Sequence, residues 1–130
     1  MPRLNKIFKP KNLDEIIETL NGDPPSYFTM VNVLIRLMRD DIIGEKKLLL
    51  DIIEKIDTKP ALEHLLINSC IYNSVEAAEI ILDKDLIDPS INNNRPLKLA
   101  RQHQSFKIIQ LLLRDERVRK GWPVIEEGWL

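Results

Sequence analysis

The sequence predicts an all-α protein of stacked helix-turn-helix repeats with terminal caps. The 130-residue chain builds its core from 18 Ile and 19 Leu, whereas Val (5 residues) and aromatics (5%), which strands prefer, are scarce, and 4 Gly leave few hairpin turns. Apolar residues recur at helical spacing, and two windows repeat each other. We expect a single domain, 1–130: N-terminal helices or a degenerate repeat over 1–56, two repeats over 57–119, and a cap or tail over 120–130.

The N-terminal half contains three segments with an apolar stripe at i, i+3 and i+4. These predicted helices span Asn12–Leu20, Tyr27–Arg39 and Lys46–Ile56. Asn12 is placed to cap the first helix, and Asn21-Gly22 to end it. The second segment is rich enough in β-branched residues that a strand is its alternative.

The C-terminal half predicts four shorter helices, joined in pairs by brief turns. They span Ala61–Tyr72, Val75–Leu82, Pro96–His103 and Ser105–Leu113. Ser74 and Ser105 stand where N-cap residues are expected. The interval Asp83–Asn94 is rich in Asp, Asn and Pro, which predicts a long turn. Helices this short are marginal alone and need neighbours to pack against.

Those pairs form a repeat. The window Ser74–Asp88 aligns without a gap on Ser105–Arg119, at a spacing of 31 residues. Most apolar positions of the two windows coincide. A period of this length is typical of helical repeat arrays, in which each pair is stabilised by the pairs stacked against it.

The segment "RPLKLARQHQSFKIIQLLL" resembles the ankyrin repeat. Pro96, Leu97 and Ala100 match the Thr-Pro-Leu-His-x-Ala opening of that family's first helix, and the apolar positions after Ser105 match its second helix. The Asn-rich linker is similar to those of ankyrin arrays in amoebae and their large DNA viruses. Asn73 and Gln104 stand where the family has its helix-linking glycine, a position that requires positive φ. The match is clear over 83–118, fair over 61–82 and poor before that.

The resemblance implies binding through turn tips and the exposed face of the first helices. Carried to this chain, that surface comprises Asn93, Arg95, Lys98, Arg101 and Gln102. Solvated surface and an ordinary turn are the alternative interpretations of these residues. Trp122 and Trp129 form a second candidate, either as a cap over the end of the stack or as a docking peptide.

No catalytic or metal-binding pattern is present in the sequence. Cys70 follows His64 by six residues, so the two do not share a helix face, and Cys70 fits a buried structural role. There is no Cys-x-x-Cys, His-x-x-x-His or phosphate-binding glycine motif. We therefore expect no enzyme, cofactor or metal.

Charge and hydropathy limit the classes of partner and the cellular compartment that we expect for the chain. A net charge of −1 argues against nucleic acid or an anionic membrane as the main partner. One cysteine and no apparent leader or spanning segment predict an intracellular protein, in the cytoplasm (the host's, if viral) or the nucleus. The expected function is a non-catalytic protein-protein interaction module, and the resemblance implies a viral protein that binds a host factor. The alternative is a structural protein that self-associates, for instance as a homodimer, through the open end of the stack.

Overall fold

The computed structural model describes residues 17, 18, 21, 27–40 and 43–121. Within those residues the chain is helical, and no strand occurs. The helices are α1 (Tyr27–Asp40), α2 (Ile43–Lys55), α3 (Lys59–Tyr72), α4 (Val75–Asp83), α5 (Ile91–Gln102), α6 (Phe106–Leu112) and α7 (Glu116–Lys120). The all-α prediction is thus confirmed for this part of the chain. The predicted helix Asn12–Leu20 lies largely outside the described residues.

The strand alternative for the second predicted segment is wrong. Val31, Leu34 and Met38 of α1 are buried, and they follow the helical rather than the alternating spacing. The predicted stripe of Leu49, Ile52 and Ile53 in α2 is also buried, as is Ile56, which directly follows the helix. This helix begins at Ile43, three residues before the predicted Lys46.

The helices pack in a regular order. Neighbours in sequence form pairs, α1 with α2, α3 with α4, and α5 with α6. The first helices of successive pairs contact one another, α1 with α3 and α3 with α5. The second helices do the same, α2 with α4 and α4 with α6. The core therefore lies between two layers of three helices, with α3 packed on both neighbours of its layer and on α4.

The turns inside the second and third pairs share one geometry. Asn73 and Gln104 have φ of 57° and 58°, the left-handed conformation expected at the helix-linking position. The next backbone N–H donates to the carbonyl five residues back, from Ser74 to Ser69 at 3.0 Å and from Ser105 to Ala100 at 2.8 Å. This 6→1 bond satisfies a carbonyl at the end of the first helix.

The two serines occupy the N-cap positions, but the expected side-chain capping is wrong. Neither the Ser74 nor the Ser105 side chain makes a cap hydrogen bond to its own helix. The Ser105 hydroxyl is buried and donates instead to the backbone oxygen of Cys70, at 2.7 Å. It therefore ties the third pair to the last turn of α3.

A row of charges runs along the second helices. Lys46 Nζ of α2 lies 2.7 Å from Glu76 Oε2 of α4. The pKa of Glu76 is lowered, first by this hydrogen bond and in smaller part by the charge of Lys107 on α6. The order basic, acidic, basic thus follows the order of the pairs.

Candidate binding surface

The segment before α5 carries an unusual backbone turn. Asn92, Asn93 and Asn94 all have left-handed φ, of 52°, 58° and 60°. Asparagine adopts this conformation more readily than most residues because its short amide bonds locally. Regular helix resumes at Arg95, one residue before the predicted start at Pro96.

Polar contacts on both sides hold this turn in place. Asp88 Oδ1 accepts hydrogen bonds from the backbone N–H and the hydroxyl of Ser90, at 2.9 and 2.6 Å. These bonds lower the pKa of Asp88, chiefly through the hydroxyl. The Asn94 N–H then donates to Ser90 O at 3.0 Å. The tip residues Asn92 and Asn93 remain exposed.

Asn94 turns inward and contacts the end of the chain's last described helix. It is 2% exposed, and its Nδ2 donates to Val118 O of α7 at 3.0 Å. Its Oδ1 is buried and has no hydrogen-bond partner among the described residues. Gly121 approaches so closely that a Cβ there would lie 2.9 Å from Asn94 Nδ2. Only glycine fits this contact without displacing the amide.

The structure places five of the predicted partner-binding residues on one exposed surface. Asn93 lies at the tip of the turn; the exposed side chains of α5 are Arg95, Lys98, Arg101 and Gln102. The basic residues are three positions apart, so each is about 4.5 Å further along the axis and about 60° around it. We call Arg95, Lys98 and Arg101 the basic strip. The predicted Trp122 and Trp129 lie outside the described residues.

A second polar cluster was not predicted. Arg117 of α7 donates to Asp115 through Nε and Nη2, at 3.0 and 2.7 Å, and lies 3.7 Å from Asp85 and 3.8 Å from Asp88. The bond from Arg117 lowers the pKa of Asp115, which also caps α7 by accepting the Arg117 N–H. The cluster fixes α7 against the loop that precedes the asparagine turn. Sequence offered only the local cap signal, because the contacts between loop and helix are tertiary.

A groove of about 280 Å³ adjoins this cluster. Leu82, Ile87, Pro89 and Leu111 are the apolar residues in its wall, and Glu79, Asp83, Asp85 and Asp115 are the acidic ones. Arg114 and Arg117 complete it. It is a shallow surface between α4, α6 and the loop.

Cys70 and His64, which were considered as a catalytic pair, lie in different environments. Cys70 is fully buried, as predicted, and burial raises the pKa of its thiol to about 12. His64 is exposed on the same helix. Over the described residues, no group of three or more His, Cys, Asp or Glu side chains is arranged to hold a metal ion. None of the helices in this part of the chain has both the length and the apolar character to cross a bilayer.

Comparison of the chain with protein-family models, curated proteins and solved structures found no match. The ankyrin resemblance therefore rests on the residues quoted above. What the structure adds is the helix pairing and the two equivalent turns.

Proposed function

We propose that the chain is a non-catalytic protein-binding module built from ankyrin-like repeats. The observation that carries this proposal is the recurrence of one turn at a spacing of 31 residues, with left-handed Asn73 and Gln104 and the same 6→1 bond after each. Matching local geometry at a fixed period, in helix pairs whose main contacts are with the adjacent pairs, is what a repeat array requires.

Rigid display is the mechanism that this arrangement supports. Asn94, Asp88 and Ser90 fix the asparagine turn from below, so its tip does not have to be ordered on binding. The basic strip continues from that tip along α5. A preorganised surface loses little conformational entropy when a partner binds. The strip suits a partner segment that carries carboxylates, because complementary charge increases the association rate and selects the partner.

The kind of organism that supplies the partner is inferred from the resemblance. Arrays with a similar Asn-rich linker occur in amoebae and their large DNA viruses. The proposal therefore extends to a viral protein that binds a host protein in the host cytoplasm.

Affinity capture from a host lysate tests the binding surface. The bait carries Arg95→Glu, Lys98→Glu and Arg101→Glu, and the control carries Arg36→Glu, Lys47→Glu and Lys55→Glu, which change the net charge equally on exposed residues away from α5 and from the groove. A partner that binds the wild type and the control but not the α5 variant supports the proposal. Equal loss in both variants would mean that overall charge, and not this surface, governs capture.

Self-association is the second candidate, and one observation favours it. Phe106, at the start of α6, is 65% exposed, whereas Val75 at the same position of the preceding pair packs against the core. An exposed aromatic ring at the last pair is suited to cover by a second copy. Light scattering of the wild type and Phe106→Glu decides it: a strict monomer at high concentration removes this candidate.

A further inference from the structure

The groove between α4, α6 and the loop before the asparagine turn combines an apolar wall with an acidic one. Leu82 and Leu111 line it and stay partly exposed, and the buried Ile87 and Pro89 complete its apolar wall. Apolar surface left open to water in a concave site gains free energy when a partner covers it. The groove therefore offers a contact area for aliphatic side chains.

The charged side chains of the groove leave two carboxylates uncompensated. Four carboxylates and two guanidinium groups line it, which gives a net charge of −2. Arg117 lies against Asp115 and Asp85, whereas Glu79 and Asp83 form no salt bridge with any residue of the described chain. Glu79 and Asp83 are one turn apart on α4, with Cβ atoms about 6 Å from each other, so their charges repel. A cation placed between them would remove that repulsion.

The far wall of the groove is held in place by its own contacts. Arg117 donates to Asp115 at 3.0 and 2.7 Å and lies 3.7 Å from Asp85, so it joins α7 to the loop. The loop is fixed further by the hydrogen bonds from Ser90 to Asp88, at 2.9 and 2.6 Å. A wall that is already ordered loses little conformational entropy when a ligand binds.

Shape and charge together indicate the class of ligand. The volume of about 280 Å³ is below the range of about 300–1,000 Å³ that is usual for small-molecule pockets, and the surface is shallow. A negative potential disfavours nucleic acid and anionic lipid, because both present phosphate groups. The remaining match is a polypeptide segment that carries positive charge beside aliphatic side chains, since both walls are then used.

We propose that the groove binds a segment of a partner protein in which a lysine or arginine is flanked by aliphatic residues. The basic group lies between Glu79 and Asp83, and the aliphatic side chains cover Leu82 and Leu111. The groove belongs to the layer of second helices, whereas the basic strip lies on α5, a first helix. The two surfaces select segments of opposite charge, so this inference does not rest on the function proposed above.

Selection from a phage library of random dodecapeptides on the full-length chain tests the chemistry of the partner. Clones that bind the wild type are then tested on Glu79→Lys with Asp83→Lys, the groove variant, and on Asp40→Lys with Asp57→Lys, the control. The control changes the net charge equally at exposed residues outside the groove. We expect the clones that the groove variant rejects and the control retains to combine lysine or arginine with neighbouring leucine, isoleucine or valine.

A peptide synthesised from such a clone gives the size of the effect by fluorescence anisotropy. Its Kd should rise about tenfold for the groove variant, because reversal replaces attraction by repulsion, and by less than about twofold for the control. Glu79→Gln with Asp83→Asn removes the two charges without a change of size. This neutral variant should raise the Kd about threefold and weaken its dependence on salt. Because it also removes the repulsion within α4, it should fold as the wild type does by circular dichroism, and it decides the question if charge reversal unfolds the chain.

Several results would overturn the proposal. If no clone is lost on the groove variant, or if the lost clones lack basic residues, the groove does not select a basic segment. A Kd that is unchanged in the neutral variant means that Glu79 and Asp83 do not contact the peptide. A wild type that dimerises in light scattering, beside a monomeric groove variant, means that a second copy occupies the groove. None of these measurements uses the basic strip or a host lysate, so failure here and failure of the proposed function are distinguishable.

Discussion

Replacing Ser105 with alanine should destabilise the protein far more than the same change at Ser74, although the two serines are equivalent in the repeat. Cys70 lies in the last turn of α3, where carbonyl oxygens lack intrahelical donors. The buried Ser105 hydroxyl supplies a donor at 2.7 Å. Ser74 is only half-buried, and its hydroxyl makes no cap hydrogen bond.

The size of the effect follows from burial. Ser105→Ala leaves a carbonyl unsatisfied inside the core, which costs about 1–3 kcal/mol. Ser74→Ala should cost less than about 0.5 kcal/mol, the usual range for a substitution that removes no buried contact. For a domain of this size, a loss of about 2 kcal/mol lowers Tm by roughly 8 °C.

Urea unfolding followed by circular dichroism measures both variants against the wild type. The three m values should agree, so that differences in midpoint report stability alone. If the two variants have the same free energy of unfolding within about 0.5 kcal/mol, the Ser105 hydroxyl does not tie the third pair to the second.

Three further predictions concern single positions. Gln104 has φ of 58°, a left-handed conformation that glycine adopts without strain. Gln104→Gly should therefore raise the free energy of unfolding by about 1 kcal/mol, whereas Gln104→Ala should give no gain. Equal effects of the two substitutions in urea unfolding would contradict this. Burial raises the Cys70 pKa to about 12, so a thiol reagent at pH 8 should react with Cys70 only as fast as the protein opens. A reaction rate that stays the same when the folded state is stabilised would refute this prediction. Arg117 lowers the folded-state pKa of Asp115. The stabilisation that this ion pair gives the folded state is therefore complete above the unfolded pKa of about 3.9 and is lost as pH falls through the folded value. The free energy of unfolding of Asp115→Asn should therefore fall less than that of the wild type between pH 5 and pH 2, by about 0.5 kcal/mol, and parallel curves would count against the pairing.

Periodicity predicted the helices well because the spacing of apolar residues along the sequence identifies the buried face of each helix. The stripes of α1 and α2, the burial of Cys70 and positive φ at Asn73 and Gln104 all follow from spacing or from turn chemistry. The exposure of the basic strip was predictable for the same reason.

What the sequence could not predict depends on contacts between distant segments. The destination of the Ser105 hydroxyl is set by the neighbouring pair, 35 residues away, and not by its own helix. The helix α7 has only five residues, too few to show a period, and is held by Arg117 against Asp85 and Asp88. The inward turn of Asn94 depends on Val118 and Gly121 in the same way.

The charges along the second helices restrict how the array can grow. Lys46, Glu76 and Lys107 give successive pairs opposite signs at neighbouring positions. A tandem copy of the middle pair would set two glutamates side by side, and loss of that pair would do the same to two lysines. Like charges in such positions repel, so either change would lose an ion pair that, between half-exposed side chains, contributes about 1 kcal/mol or less; each pair is thus matched in sign to its neighbours.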